Sequence, residues 1–276
     1  MTRTFFITGN KRSGTSQLVR LLNLHSQVFI SHESDIIWIL YQFHNHQPFE
    51  TYPEDGPTGM EYTLQKCGRL LDKDKSPAEN FFTVQKSLMR QGSPWLAPVE
   101  KKDLLWVGDK KPFQYSDPEL TNFILDVFPE TRFIHLIRHP FAVAASAEQF
   151  NKTPEGDFWK GITPEEAVKR WVCNEKRVLE LKRLAKANVL DVRYEDLCRN
   201  TKKELSRIFD FLGLRRERKI FQKARRDTHY SVKNFPNIPS SDREARLVME
   251  KYGYSPGCPA TRFFINACYK LRKALN

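Results

Sequence analysis

The fold of this chain is decided by one stretch near its start, Thr4-Phe5-Phe6-Ile7-Thr8-Gly9-Asn10-Lys11-Arg12-Ser13-Gly14-Thr15-Ser16. Its first five residues predict a short buried strand, which Gly9 ends. From Gly14 to Leu24, apolar residues recur at helical spacing. A strand, a glycine-bounded loop and a helix form an anion cradle, because the backbone N–H groups of the loop and the positive end of the helix converge on one point.

The loop departs from the nucleoside triphosphatase pattern G-x-x-x-x-G-K-[ST] at one position. Gly9 and Gly14 match the two glycines, but Thr15 stands where the lysine should follow. That lysine serves the β- and γ-phosphates, and the next hydroxyl holds Mg²⁺. Here the positive charge lies inside the loop, at Lys11 and Arg12. The pattern therefore predicts a phosphate cradle for a ligand other than Mg-ATP, with a plain glycine-rich turn as the alternative for this motif alone.

The run G-x-x-R-S-G-T-S after an N-terminal strand resembles the 5′-phosphosulfate loop of sulfotransferases that use 3′-phosphoadenosine 5′-phosphosulfate (PAPS). It looks most like the branch written P-R-S-G-T-T, which includes tyrosylprotein sulfotransferases and many bacterial enzymes. Two departures are visible, because Lys11 replaces the usual proline and Ser16 the second threonine. The resemblance implies that the loop residues bind the 5′ end of PAPS: Lys11, Arg12, Ser13, Gly14, Thr15 and Ser16.

A second motif begins with Arg138 at a strand end, and Ser146 follows eight residues later, about two helical turns on. Two such side chains can face one bound anion. The segment resembles the family's 3′-phosphate site, R-(D/H)-P-x-x-x-x-x-S, which implies that Arg138 and Ser146 bind the phosphate that distinguishes PAPS from ATP. A capping pair at an ordinary strand–helix junction is the alternative for this motif alone. Two motifs in the family's order, each after a strand, favour the family.

The resemblance also implies the reacting groups. Arg12 stands where the family places a cation against the bridging oxygen, and Lys110 resembles its second catalytic cation. Lys111 occupies the place of an acidic residue, so either lysine can point into the site. Glu33, 21 residues after Arg12, matches the catalytic glutamate of the tyrosylprotein branch. His32 is the rival base because its unperturbed pKa near 6.5 suits proton abstraction. A structural salt bridge from Glu33 to a loop cation is the alternative.

Three further residues match the family more loosely. Tyr194 lies in an R-Y-E-D-L segment after a strand, where its side chain can reach the nucleotide or pack in the core. Ser231 and Lys233 lie in a late polar interruption, where the family often closes over the nucleotide.

Five short apolar segments separated by helices predict an α/β fold with a central parallel sheet, covered on both faces, like that of P-loop nucleotide hydrolases. The predicted strands are residues 4–8, 27–31, 104–107, 132–137 and 188–192. Ligands of such sheets bind at the carboxyl ends of the strands, where Glu33, Lys110, Arg138 and Tyr194 all fall. At 276 residues, one domain over the whole chain is the expectation.

The composition indicates where the protein is located and which classes of site are absent. The five cysteines are scattered and contain no C-x-x-C, which argues against a disulfide framework or a zinc site. No apolar run approaches the roughly 18 residues of a membrane span. The first strand begins by about residue 4, which leaves no room for a secretory signal before it. These features predict a cytoplasmic protein without a transmembrane segment.

Charge is unevenly distributed: residues 1–150 carry a net charge of −1 and residues 151–276 carry +13. A basic nucleic-acid-binding or scaffold protein with a degenerate cradle is therefore one rival, although no recognised nucleic-acid module is present. A Mg-nucleotide kinase of related fold is the other. The sequence predicts instead a metal-independent sulfotransferase that moves the sulfuryl group of PAPS to a hydroxyl or amine. A small-molecule, carbohydrate or peptide acceptor is expected, not nucleic acid, and its identity and the oligomeric state stay open.

Overall fold

The computed structural model of the protein describes residues 2–53, 57–153, 162–227 and 243–254. Five strands form one parallel sheet in the order β2-β3-β1-β4-β5. They are β1 (Arg3–Gly9), β2 (Val28–His32), β3 (Trp106–Lys110), β4 (Arg132–Ile137) and β5 (Val189–Arg193). Because β1 is central and the chain moves to opposite sides of it, the crevice where ligands bind in such sheets opens above its carboxyl end. The predicted parallel α/β fold is confirmed.

Helices surround the sheet. They are α1 (Thr15–Leu22), α2 (Ile36–His44), α3 (Thr58–Cys67), α4 (Pro77–Gln91), α5 (Pro118–Val127), α6 (Pro140–Phe150), α7 (Pro164–Ala185), α8 (Tyr194–Arg199), α9 (Thr201–Leu212), α10 (Arg218–Asp227) and α11 (Arg243–Lys251). No helix of the described part of the chain is long and apolar enough to cross a membrane.

The central strand β1 is buried on both faces, which is why it reads as a continuous apolar run. Phe5 and Ile7 pack into one core layer with α1, α9 and α10. Phe6, on the opposite face, packs into a second layer with α2, α4 and α5. Alternate residues of a strand point to opposite faces, so one short strand supports two cores and holds the loop after it rigidly.

Strand β3 lies later in the chain than predicted, at Trp106–Lys110 instead of residues 104–107. Glycine, aspartate and lysine are poor strand formers, so strand propensity predicts that the strand ends at Val107, before these three residues. In the structure Asp109 is fully buried and accepts a hydrogen bond from Ser34 Oγ at 2.9 Å and another from Tyr115. Because these partners satisfy the carboxylate, the ladder continues to Lys110. The other four strands agree with the prediction to within one residue at each end.

Helix α3 begins at Thr58, and packing fixes its start. A Cβ on Gly59 would lie 2.1 Å from Glu33 O and 2.5 Å from Asp35 Oδ2, so only glycine lets the helix approach the end of β2 this closely. Helix α7 starts after Thr163, whose hydroxyl accepts the Glu166 N–H at 3.2 Å.

Candidate active site

The loop between β1 and α1 lies against Tyr194, the first residue of α8. Gly14 has φ +90, and a Cβ there would lie 2.3 Å from the ring of Tyr194. The Tyr194 hydroxyl donates to Gln17 Oε1 at 3.0 Å, and the Arg138 guanidinium lies 4.9 Å above the ring centre. Tyr194 thus supports both the loop and a cation of the second motif, and glycine is required at position 14 because the ring lies so close.

The loop presents a helix start that has no polar cap of its own. Gly14 is the N-cap of α1, no side chain caps the helix, and its first turn holds no acidic residue. Ser13 Oγ is buried and has no hydrogen-bond partner among the described residues. A helix start of this kind carries a partial positive charge and N–H groups without acceptors in the helix. The cradle, with its unsatisfied hydroxyl, therefore fits an anionic group such as a phosphate.

The two sequence motifs meet in space. Arg12 Nε lies 3.4 Å from Ser146 Oγ, and Arg138 Nη1 donates to the Arg12 carbonyl oxygen at 2.8 Å. The Arg12 guanidinium lies 4.3 Å from the centre of the Phe150 ring. Burial and the neighbouring charge of Arg138 lower the pKa of Arg12, while Glu33 acts in the opposite direction. Two cations this close to each other favour the binding of an anion between the motifs.

Glu33 and Lys110 form an ion pair beside the loop. Lys110 Nζ donates to Glu33 Oε1 and lies 3.4 Å from Ser16 Oγ. The lysine side chain is fully buried, whereas that of Glu33 is 30% exposed. Burial acts to raise the pKa of Glu33, but Lys110 first, then His32 and Lys111, outweigh it and lower this pKa to about 2. Glu33 is therefore an ionised carboxylate with access to solvent.

Lys111 faces away from this pair. Its Nζ donates to Asp35 Oδ2 at 2.8 Å, and the two side chains are 3% and 2% exposed. Gln114 Nε2 donates to the other oxygen of Asp35. Successive residues at the end of a strand point in opposite directions. Of the two candidate lysines, the structure thus brings Lys110 to the loop and places Lys111 in a buried pair.

His32 lacks the pKa that made it a rival base. Its ring is buried, and its centre lies 5.4 Å from that of the Trp95 ring. Burial, followed by the charge of Lys110, lowers the pKa of His32 to about 3. At neutral pH the imidazole is uncharged and a weaker base than an ordinary histidine.

The remaining predicted residues divide into two groups. Lys11, Thr15 and Ser16 lie in the loop and the first turn of α1, with Lys11 Nζ 5.5 Å from the centre of the Phe113 ring. Ser231 and Lys233 lie outside the described residues. Among the described residues, no group of three or more histidine, cysteine, aspartate or glutamate side chains is arranged to hold a metal ion.

Sequence reasoning missed Phe150, on which the Arg12 guanidinium stacks. A signal was present, because Phe150 lies four residues after Ser146 on the same helix and so on the same face. Gln17, the partner of Tyr194, carries no such signal, since the contact joins residues 177 positions apart.

Structural comparison finds similar folds among solved sulfotransferases. The sulfotransferase domain from the olefin synthase of Synechococcus PCC 7002 aligns with a TM-score of 0.61 and 20% identity over 92% of this chain and 96% of that one. The sulfotransferase domain from the curacin biosynthetic pathway gives 0.59 and 18% over 92% and 99%. Sulfotransferase STF9 from Mycobacterium avium gives 0.53 and 12% over 91% and 76%.

A search of curated proteins found no match to the sequence. A family model does match: residues 4–218, which hold both sequence motifs, fit the model described as the sulfotransferase family. The chain belongs to the sulfotransferase family.

Proposed function

We propose that this protein transfers the sulfuryl group of PAPS to a hydroxyl or amine acceptor by in-line displacement. One observation carries the proposal: the contacts of Arg12 with Ser146 and Arg138 join the two phosphate motifs directly beside the Glu33–Lys110 pair. A cradle for two separate phosphates, with a carboxylate and a buried cation next to it, is what sulfuryl transfer from PAPS requires. The membership of the family supports the same reaction.

The loop residues would hold the 5′-phosphosulfate. The buried Ser13 hydroxyl, without a partner among the described residues, and the uncapped start of α1 supply hydrogen-bond donors. Lys11 and Arg12 supply charge, and Thr15 and Ser16 lie in the first turn of the helix. Arg138 and Ser146 would hold the 3′-phosphate, with Tyr194 beneath the guanidinium of Arg138.

When bound, PAPS supplies the sulfuryl group and leaves as 3′,5′-adenosine bisphosphate. Glu33 would take the proton of the acceptor, because its exposed carboxylate faces solvent next to the cradle. Lys110 and Arg12 would keep positive charge where the leaving oxygen becomes negative, which stabilises the transition state. No metal is needed for either task in this proposal.

The low pKa of Glu33 makes the carboxylate a weak base in the free protein. Lys110 is the largest cause of that lowering, so sharing its positive charge with a bound phosphate would let the pKa of Glu33 rise toward its ordinary range. Glu33 would then become a stronger base only when PAPS is bound, so it would not take up a proton before the donor is in place.

The test is the nucleotide preference of the purified protein, measured by titration calorimetry. We expect tight binding of 3′,5′-adenosine bisphosphate without added metal and weak binding of ATP with Mg²⁺. The reverse preference would overturn the proposal in favour of a kinase, and salt-sensitive binding of nucleic acid without nucleotide preference would favour a basic binding protein. Incubation with labelled PAPS and small-molecule, carbohydrate and peptide acceptors then identifies the acceptor class.

A further inference from the structure

A buried carboxylate behind the nucleotide loop contacts it directly. Asn10, the residue that follows β1, donates from Nδ2 to Glu175 Oε1 at 2.7 Å. Glu175 lies in the middle of α7, 165 residues later, and its side chain is fully buried. Asn10 is 2% exposed. The contact is therefore an internal hydrogen bond between a loop residue and an ionisable group that solvent does not reach.

A buried histidine lies between Glu175 and a second carboxylate. His135 Nε2 lies 3.3 Å from Glu175 Oε2, and His135 Nδ1 lies 2.8 Å from Asp191 Oδ1. Burial acts to lower the pKa of His135, but the two carboxylates outweigh it and raise this pKa to about 9. His135 is thus a buried imidazolium between the buried Glu175 side chain and the Asp191 side chain, which is 44% exposed, next to the central strand.

The network continues to α11. Lys182 Nζ lies 2.7 Å from Asp191 and donates to the Tyr252 hydroxyl at 3.2 Å. Tyr252 follows α11, and its ring centre lies 5.8 Å from that of His135. One chain of contacts therefore runs from the loop through α7, β4 and β5 to the end of α11.

Stability alone is a weak reason for such a network, because well-packed apolar residues of similar volume are often as stabilising as buried ion pairs. The position of Asn10 supplies a better reason. It follows Gly9, where a φ of +146 and a Cβ position 2.4 Å from Leu136 O allow only glycine at the end of the strand. A side-chain anchor directly after this glycine restricts the path that the loop can take.

We propose that Glu175 is a positioning residue for the nucleotide loop, acting through Asn10, with His135 and Asp191 holding Glu175 in place. The proposal rests on the proposed function only for the identity of the ligand, since the loop order that Glu175 maintains is a property of the free protein.

The experiment measures amide hydrogen exchange of residues 10–16 in the free, full-length protein, for wild type, Asn10→Ala and Glu175→Ala. We expect faster exchange of these amides in both variants and no further acceleration in the double variant, because both changes remove the same contact. Glu175→Gln keeps an acceptor oxygen and should restore most of the protection. The matched control is Asn174→Ala, at the residue before Glu175 on α7, which loses a buried hydrogen bond donated by Ser116 Oγ at 2.7 Å and should leave the loop unchanged.

Affinity for 3′,5′-adenosine bisphosphate provides the second measurement. We expect a loss of about tenfold in Asn10→Ala and Glu175→Ala, the scale of one hydrogen bond to a charged group, and little loss in Asn174→Ala. If Glu175→Ala does not fold, Asn10→Ala still tests the contact, because it leaves the buried ion pairs intact.

The outcomes separate the two proposals. Altered exchange in a protein whose wild type does not bind the bisphosphate would refute the proposed function and support the positioning role. Binding by the wild type, with loop exchange in Asn10→Ala and Glu175→Ala no faster than in Asn174→Ala, would overturn the positioning role alone.

Discussion

Two acid–lysine pairs lie side by side in this protein and differ mainly in their access to water. Glu33 pairs with Lys110 and Asp35 pairs with Lys111, and both acids have left-handed backbone angles, with φ of 52 and 54. Glu33 is 30% exposed, whereas Asp35 is 2% exposed and also accepts from Gln114. The first pair can exchange partners with a ligand. Both side chains of the second pair are buried, so ligands do not reach its charges.

The buried pair helps to hold the segment that presents the exposed one. Asp35 is anchored by Lys111, the Glu33 N–H donates to Lys110 O at 2.8 Å, and Gly59 of α3 packs against Glu33 O. Left-handed backbone at residues other than glycine costs free energy and persists where the surroundings fix it, often at functional sites. Comparing the two pairs thus separates residues that build the site from residues expected to react in it.

The largest expected effect is on stability, from the buried pair. Lys111→Met should lower the free energy of unfolding by about 3–5 kcal/mol, because it leaves the Asp35 carboxylate buried without its counter-ion. Lys110→Met should cost clearly less, since solvent reaches Glu33. Urea denaturation monitored by circular dichroism measures both. Equal losses would show that exposure does not distinguish the pairs.

The next effect is on turnover, from the exposed pair. Glu33→Gln keeps the shape of the side chain but cannot take a proton, so kcat should fall by roughly 10²-fold or more, with little change in affinity for PAPS. Lys110→Ala should also lower kcat, and His32→Gln should be mild. Steady-state kinetics with an identified acceptor provides the measurement. An active Glu33→Gln with an inactive His32→Gln would transfer the role of the base to the histidine.

A third change tests the cations of the cradle, which belong to neither pair. Arg138→Ala should weaken binding of 3′,5′-adenosine bisphosphate by roughly 10- to 100-fold, the scale of a charge-assisted hydrogen bond. Affinity for adenosine 5′-phosphosulfate, which lacks the 3′-phosphate, should scarcely change. Calorimetry on both ligands gives the comparison, and equal losses would contradict the assignment of Arg138 to the 3′-phosphate.

The smallest expected effect is the pH dependence of the exposed pair. The pKa of Glu33 is lowered to about 2 in the folded protein, below its ordinary value, so folding favours the ionised carboxylate. Its contribution to stability should be complete above about pH 4.5 and be lost as the pH falls through about 2. The difference in urea midpoint between wild type and Glu33→Gln, followed from pH 7 to 2, should shrink in that window. A constant difference would show that Glu33 titrates alike in both states.

The sequence by itself determined the overall fold and the edge of the sheet at which the candidate site lies. The apolar run before Gly9, the glycine-bounded loop and the alternation of strands with helices predict a parallel sheet, because periodicity and turn residues act locally. Since ligands bind where parallel strands end, the same patterns placed Glu33, Lys110 and Arg138 at one edge. The order of the two motifs predicted that the second one lies near the loop, and in the structure Arg12 contacts Ser146.

Only the tertiary structure decided which groups pair and which titrate. The choice of Lys110 over Lys111, the low pKa of His32 and the extension of β3 through Asp109 depend on burial and on partners from distant segments. The contact of Asn10 with Glu175 spans 165 residues. The sequence does not distinguish a carboxylate or an imidazole that is exposed to water from one that is buried in a core. Its charge and role are set by desolvation and by the neighbours that packing supplies, and those interactions exist only after the chain has folded.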